Sequence, residues 1–153
     1  MSVKKTIIMG LVAMGVGVPM LAQAAMDLYI TNNTKNDSTI IANTGACSTL
    51  LGEAGITRSG EQNHQVPENK VGLACSASIL KKTDCKADVY MTSNCTGPVV
   101  ATVYFDIQKD KSGKYVGSGL RPVKPEDIKD KSYTVIGSGL NVIINGGPAV
   151  AAK

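Results

Sequence analysis

The sequence predicts an all-β fold: a single-domain antiparallel β-sandwich (or barrel) of about seven short strands, held by two disulfide bonds. Three observations predict it. Several segments alternate apolar and polar residues with period two, clusters of turn-forming residues separate these segments, and four cysteines follow an export signal. No long window carries a convincing helical stripe, so we expect only one or two helical turns, at residues 48–54.

The chain opens with the layout of a cleavable Sec signal peptide. Lys4 and Lys5 precede an almost entirely apolar stretch over residues 6–21, and the small-x-small triplet 22–24 follows it. A transmembrane helix is the alternative, but the apolar stretch is about 16 residues long and a span needs roughly 20. We therefore expect residues 1–24 to be removed, residues 25–145 to form the sandwich domain, and residues 146–153 to be a flexible tail. Ala25 follows the cut, so a lipid-anchored cysteine is not expected.

The strand predictions rest on alternation. The clearest run spans residues 99–107, the second spans residues 85–91, and a third, over residues 71–79, places Val71, Cys75 and Ile79 on one face. Shorter candidates lie at residues 27–31, 38–42, 133–136 and 140–144. Short strands separated by turn residues are typical of sandwiches and barrels.

The four cysteines predict two disulfides. Cys47, Cys75, Cys85 and Cys95 all lie in the exported part, and no C-x-x-C pair or neighbouring His favours a metal site. A Cys85–Cys95 pair is disfavoured, because a straight strand from residue 86 to residue 92 would hold the two cysteines too far apart. The other two connectivities stay open.

An internal echo lies near the C-terminus. Residues 106–120 and residues 127–140 both run from an Asp-Ile pair through a Lys-Ser turn and a tyrosine to Gly-Ser-Gly-Leu. A duplicated strand–turn unit and a coincidence of two lysine-rich turns with two glycine bulges are both open interpretations.

Composition excludes several function classes. Without the two lysines of the predicted signal peptide, the chain has 14 Lys and Arg and 12 Asp and Glu, which gives a net charge of +2. The charges are interspersed, so nucleic-acid binding is not predicted. We also predict no cofactor, no metal, and no membrane insertion after the signal is removed.

Little in the sequence points to catalysis. The single histidine, His64, lies in a polar stretch and is interpreted as an exposed loop residue rather than a general base. The acidic pairs near Asp106 and Asp127 are interspersed with lysines, which favours solvated turns over a glycosidase pair. We therefore predict no catalytic residues and no enzyme.

Two tyrosines form the candidate binding surface. Tyr90 and Tyr104 fall on the faces of their strands opposite the apolar residues, where they would point outward. Aromatic faces stack on sugars and anchor protein partners, so the expected partner is an unidentified protein or glycan.

One segment resembles a known group of proteins. The run from Cys85 to Pro98, CKADVYMTSNCTGP, resembles a segment of small exported proteins of gammaproteobacteria, and the resemblance extends over residues 28–145. It implies a secreted, two-disulfide β protein and assigns no activity. Fimbrial subunits share the size, the signal and the sandwich plan, but their alternating C-terminal strand is absent here.

The leading hypothesis is an exported, non-enzymatic β-domain that acts by binding in the periplasm or extracellularly. One alternative is a small secreted hydrolase or toxin, which would need a cleft containing His64 and a carboxylate pair. Another is a fimbria-like structural subunit of a surface polymer. The sequence leaves the partner and the oligomeric state open.

Overall fold

A computed structural model describes residues 27–43 and 45–148. The predicted signal peptide, residues 1–24, lies outside the described residues, as do residues 149–153 of the predicted tail. The described elements are, in chain order, β1 (Leu28–Asn32), β2 (Thr39–Ala42), a 3-10 segment (Ser48–Gly55), β3 (His64–Val66), α1 (Glu68–Lys81), β4 (Cys85–Tyr90), β5 (Val99–Lys109), β6 (Tyr115–Leu120), a 3-10 turn (Pro125–Asp127), β7 (Tyr133–Ser138) and β8 (Asn141–Gly146).

The strands form two four-stranded sheets, as expected for a sandwich. Sheet 1 has the order β3-β1-β8-β7 and sheet 2 has the order β2-β4-β5-β6. The prediction of a purely antiparallel fold is wrong in one place, because β1 and β8 pair in parallel, with Ile30 opposite Val142. The sequence could not predict this pairing, because side chains alternate with period two in parallel and antiparallel strands alike.

The core lies between the inward faces of the strands. Alternate residues of β4 and β7 are buried, as the period-two pattern requires. Several side chains are almost completely inaccessible, among them Cys85, Ala101 and Ile144. A single apolar cluster includes residues of both sheets, so the described residues share one core.

The third predicted strand, residues 71–79, is wrong: this segment is the helix α1. Val71, Cys75 and Ile79 are spaced by four residues. They would therefore lie on one face of a helix and equally on one face of a strand. Leu73 distinguishes the two structures, since a strand would bury it with Cys75, whereas its exposed fraction is 62 %. The expectation that no long helix exists is wrong for the same reason.

Local chemistry fixes the ends of α1. Pro67 precedes the helix with φ near −59°, and Asp27 accepts the backbone N–H of Glu68 at 2.9 Å. At the other end Lys82 adopts the left-handed conformation, and its N–H bonds the carbonyls of Ile79 and Ser78. A segment bounded in this way is helical even though small residues weaken its amphipathic pattern.

Other elements differ from expectation in smaller ways. The predicted helical turns at residues 48–54 are present as the 3-10 segment, whereas β3 and the glycine-containing β6 were missed. The first residues of the predicted tail are bonded to the body. Gly146 ends β8, and the N–H of Gly147 donates to the carbonyl of Ser132 at 2.8 Å.

The disulfides are Cys47–Cys95 and Cys75–Cys85, with Cα–Cα distances of 5.8 and 5.4 Å. The first ties the loop before the 3-10 segment to the loop after β4. The second ties α1 to the start of β4. The disfavoured Cys85–Cys95 pair is indeed absent, and the two remaining alternatives are resolved.

The internal echo corresponds to repeated local structure. Asp110 accepts hydrogen bonds from the N–H and hydroxyl of Ser112, and Asp130 accepts the same pair from Ser132. A strand follows each turn, β6 in one sheet and β7 in the other. The two units therefore share a turn motif, since an Asp two residues before a Ser favours this bonding.

Candidate ligand-binding groove

An open groove of about 430 Å³ lies between α1 and the β5–β6 hairpin. Its volume is within the range of small-molecule sites, roughly 300–1,000 Å³. The helix contributes Val71, Gly72 and Ile79, and the hairpin contributes Ile107 and Val116. The walls are therefore largely aliphatic.

Helix geometry explains why one side of α1 lines the groove. Val71, Cys75 and Ile79 follow one another at four-residue steps, so they lie on the same face. Gly72 lies beside them, and a Cβ built on it would meet no atom within 4 Å. The glycine thus leaves open space along the wall of the groove.

The floor of the groove is covalently cross-linked and buried. It contains the Cys75–Cys85 disulfide and Phe105, which is 6 % exposed. Because Cys85 begins β4 and Phe105 is its direct partner in β5, the covalent link anchors the helix to the centre of sheet 2. The floor of the groove is thus held in place by a covalent bond and a buried aromatic ring.

Lysines surround one aromatic ring of the groove. The ammonium groups of Lys82 and Lys109 each lie 5.3 Å from the centre of the Tyr115 ring, a cation–π distance. Lys114 itself lines the groove. None of these three lysines takes part in an ion pair with any residue of ranges 27–43 and 45–148. The groove therefore combines a largely apolar wall with three lysine ammonium groups, while Glu68 also lines it and Lys114 interacts with Asp110.

The predicted tyrosine surface is not brought together. Tyr104 lies opposite Lys86 in the β4–β5 ladder, and Tyr90 is four residues further along β4, about 13 Å at 3.3 Å per residue. The guanidinium of Arg121 lies 5.3 Å from the centre of the Tyr104 ring, and it is ion-paired with Asp106. The Tyr104 ring thus already has a cationic partner, and a shared role for the two tyrosines remains a prediction.

The interpretation of His64 as an exposed loop residue is wrong. It begins β3, its side chain is 11 % exposed, and both ring nitrogens have partners. Nδ1 lies 2.8 Å from a carboxylate oxygen of Glu61, and Nε2 lies 3.1 Å from the carbonyl oxygen of Ala54. This bonding ties β3 to the 3-10 segment, so the histidine has a structural role here.

The candidate acids serve turns and ion pairs. Asp106 pairs with Arg121, Asp127 accepts the N–H of Lys124 at 2.9 Å, and Asp130 accepts the Ser132 bonds described above. The structure does not bring His64 to any of these carboxylates. Within the described part of the chain, no group of three or more His, Cys, Asp or Glu side chains could hold a metal ion.

Sequence reasoning missed the groove because it assigned α1 to a strand. The four-residue spacing of Val71, Cys75 and Ile79 was the available signal. The contribution of the β5–β6 hairpin has no local signal, since residues 107 and 116 face the helix only through the tertiary structure.

A family model described as T2SS substrate NttC matches residues 4–145. Because the match spans nearly the whole sequence, the chain belongs to the NttC family of type II secretion substrates, which makes it a secreted bacterial protein. The narrower resemblance to small exported proteins of gammaproteobacteria stays an expectation. No curated protein and no solved structure matches the chain. Over the described residues, no helix is both long and apolar enough to cross a membrane.

Proposed function

We propose that this secreted protein acts outside the producing cell by binding, without catalysis, a ligand that joins an apolar chain to an anionic group. The groove between α1 and the β5–β6 hairpin is the site. The observation that carries the proposal is the position of Lys82, Lys109 and Lys114 around Tyr115, at a groove whose walls are largely aliphatic.

The apolar part of the ligand would supply most of the affinity. Each methylene removed from water contributes about 0.8 kcal/mol. Val71, Ile79, Ile107 and Val116 provide the matching surface, and the disulfide floor keeps it preorganised. The groove is open, so an extended chain can lie along it.

The lysines would select the charge of the head group. An ammonium at a partly exposed site gains little from one carboxylate, about 1 kcal/mol or less. Three ammonium groups outnumber the Glu68 carboxylate of the lining, and they nevertheless favour an anion over a neutral group, and a neutral group over a cation. We therefore expect discrimination by head-group sign more than high affinity.

Family membership and disulfides support the site of action. A type II secretion substrate leaves the cell, and two disulfides suit an oxidising compartment. The partners of His64 and of the acidic side chains support binding rather than hydrolysis, because these groups already serve the fold.

Calorimetric titration with three probes of one chain length tests the proposal. We expect dodecanoate to bind, dodecanol to bind several-fold more weakly, and dodecyltrimethylammonium to bind weakest. The recovered dodecanoate should have an unchanged mass. Equal affinity for all three probes, no binding, or a chemically altered ligand would contradict the proposal.

Gly72 offers a matched pair of variants for the same titration. Gly72→Phe should fill the open space beside Gly72 and abolish dodecanoate binding, whereas Gly72→Ala should leave the affinity within about twofold. Alanine should also stabilise the helix by about 0.5–1 kcal/mol. Undiminished binding to a folded Gly72→Phe protein would place the ligand elsewhere.

Charge reversal tests the head-group site. The double variant Lys109→Glu, Lys114→Glu should lose dodecanoate binding about tenfold and gain affinity for dodecyltrimethylammonium. Lys35→Glu with Lys124→Glu is the control, since it changes net charge equally and neither residue lines the groove. If the control loses as much affinity, long-range charge rather than a local site explains the selectivity.

A further inference from the structure

The strands of sheet 1 contain no charged residue. Its strands β1, β3, β7 and β8 have 5, 3, 6 and 6 residues, and none is Asp, Glu, Lys or Arg. Charged residues make up 18 % of the chain, which corresponds to three or four in 20 residues. The outward face of sheet 2 follows the average, with Lys86, Asp88 and Asp106. The neutrality of sheet 1 is therefore a local property.

The centre of this neutral face is apolar. Ile136 and Ile143 are direct cross-strand partners on β7 and β8 and are 54 % and 37 % exposed. Tyr29 on β1 is also 37 % exposed. Large apolar side chains exposed side by side commonly mark interaction sites.

Amide side chains surround that centre. Gln65 and Asn141 lie on either side of Tyr29 in the sheet register, and the Gln65 amide donates to the carboxylate of Asp27, the residue before β1. At the end of the sheet, Asn33 donates to Asn145 at 2.8 Å and accepts from Gln62 at 2.8 Å. Each side-chain amide offers two N–H donors and an oxygen acceptor with two lone pairs. The bonds among Gln62, Asn33 and Asn145 hold these three amides in position.

From this arrangement we propose that the outward face of sheet 1 binds an uncharged polysaccharide. Sugar hydroxyls both donate and accept hydrogen bonds, as amides do, and the apolar face of a sugar ring packs on an aromatic or aliphatic surface. A sheet without charged residues, whose neighbouring Asp27 carboxylate is already bonded by Gln65, favours a neutral partner over an ion. A sheet surface also suits an extended polymer.

The polysaccharide face is independent of the groove. Apart from Leu140, the lining of the groove comes from α1, sheet 2 and its connections, and Tyr29, Ile136 and Ile143 take no part in it. One protein could therefore hold a polymer through sheet 1 and an amphipathic ligand beside α1.

Affinity electrophoresis of the full secreted protein tests the inference. The gels contain soluble neutral polymers (dextran, galactomannan, xyloglucan and arabinoxylan) or the anionic polymers alginate and hyaluronan. We expect at least one neutral polymer to retard migration and neither anionic polymer to do so. Tyr29→Ala and Ile143→Lys should each reduce retardation at least tenfold.

Leu80 provides matched controls. It is 81 % exposed on α1 and lies on neither surface, so Leu80→Ala and Leu80→Lys make comparable changes elsewhere. Both controls should bind the neutral polymer as the unchanged protein does. Thermal unfolding of each variant shows that lost retardation is not lost folding.

Three results would overturn the inference. One is migration unaffected by every neutral polymer, and another is retardation by anionic polymers alone. The third is a concentration-dependent dimer, seen by sedimentation, that Ile143→Lys dissociates, because the neutral face would then contact a second copy of the chain. Dodecanoate binding would be untouched by any of these, so the two proposals fail separately.

Discussion

The backbone N–H of Leu120 donates a hydrogen bond to the carbonyl oxygen of Gly139, with 2.7 Å between the two atoms. Leu120 ends β6 in sheet 2, and Gly139 follows β7 in sheet 1. Each belongs to one copy of the repeated Gly-Ser-Gly-Leu sequence. The two copies of the repeated sequence are therefore in direct contact, at the place where the two sheets adjoin along one side of the sandwich.

This contact makes two similar glycines unequal. A Cβ on Gly119, at φ +147°, would lie 3.2 Å from the carbonyl oxygen of Gly139, whereas a Cβ on Gly139, at φ +60°, would meet nothing within 4 Å. We expect Gly139→Ala to cost about 1 kcal/mol through backbone strain alone. Gly119→Ala should cost about 1–3 kcal/mol, because it also separates the sheets. Urea unfolding measures both, and equal losses would contradict the role of this contact.

The two disulfides should differ in what they stabilise. Loop-closure entropy gives about 4 kcal/mol for Cys47–Cys95 and about 3 kcal/mol for Cys75–Cys85, from sequence separations of 48 and 10. Only the second holds α1 on sheet 2. The Cys75→Ala, Cys85→Ala variant should therefore speed amide hydrogen exchange over residues 68–81 and weaken dodecanoate binding.

The Cys47→Ala, Cys95→Ala variant is the control for that experiment. It should lower the overall free energy of unfolding more, yet leave exchange in α1 relative to the rest of the chain unchanged. Selective loss of α1 protection in this control would mean that the helix depends on both bridges.

Three carboxylates should make stability fall in acid. Burial raises the pKa of Glu61, but hydrogen bonds from the N–H of Arg58 and from His64 outweigh it, so the pKa is lowered from 4.5. Bonds from the hydroxyl of Ser112 and the N–H of Lys114 lower the pKa of Asp110 from 3.8, and Ser132 lowers that of Asp130 from 3.8.

A group whose pKa is lowered on folding contributes stability above its unfolded pKa and loses it as the pH falls through the folded pKa. We expect these contributions to be constant above about pH 5.5 and to decline below about pH 4.5. Unfolding free energies measured from pH 7 to pH 2.5 give the profile. Glu61→Gln, which removes the titrating group, should flatten its upper part, and an unchanged profile would show that Glu61 is not one of its causes.

Substitution of Arg121 should lower the stability of the fold, less for lysine than for glutamine. Its guanidinium donates to Asp106 and Asp84 and lies over the ring of Tyr104. These contacts connect the residue after β6 with β5 and with the start of β4. Arg121→Lys keeps the charge but loses the planar fork, and we expect a loss of up to about 1 kcal/mol. Arg121→Gln should cost more, because both carboxylates then lack a cation. Thermal unfolding compares the two variants, and equal stability would mean that the cluster does not stabilise the fold.

Much of the sandwich was predictable because the pattern is local. Cys85, Ala87 and Val89 alternate with polar residues and are buried as expected, and the same rule located β5, β7 and β8 within a few residues. The failures have equally physical causes. Val71, Cys75 and Ile79 fit two periods, and His64 lies in a polar sequence that the fold covers through Glu61 and Ala54.

The sequence by itself determined the sandwich class, the presence of two bridges and the positions of most strands, since each depends on neighbouring residues. The export signal at residues 1–24 stays a prediction. Only the tertiary structure decided the pairing of Cys47 with Cys95, the parallel contact of β1 with β8, the lysines around Tyr115 and the neutral face of sheet 1. These features join residues far apart in the chain. Their contacts depend on which strands pair and how α1 packs, and composition and local periodicity do not record either.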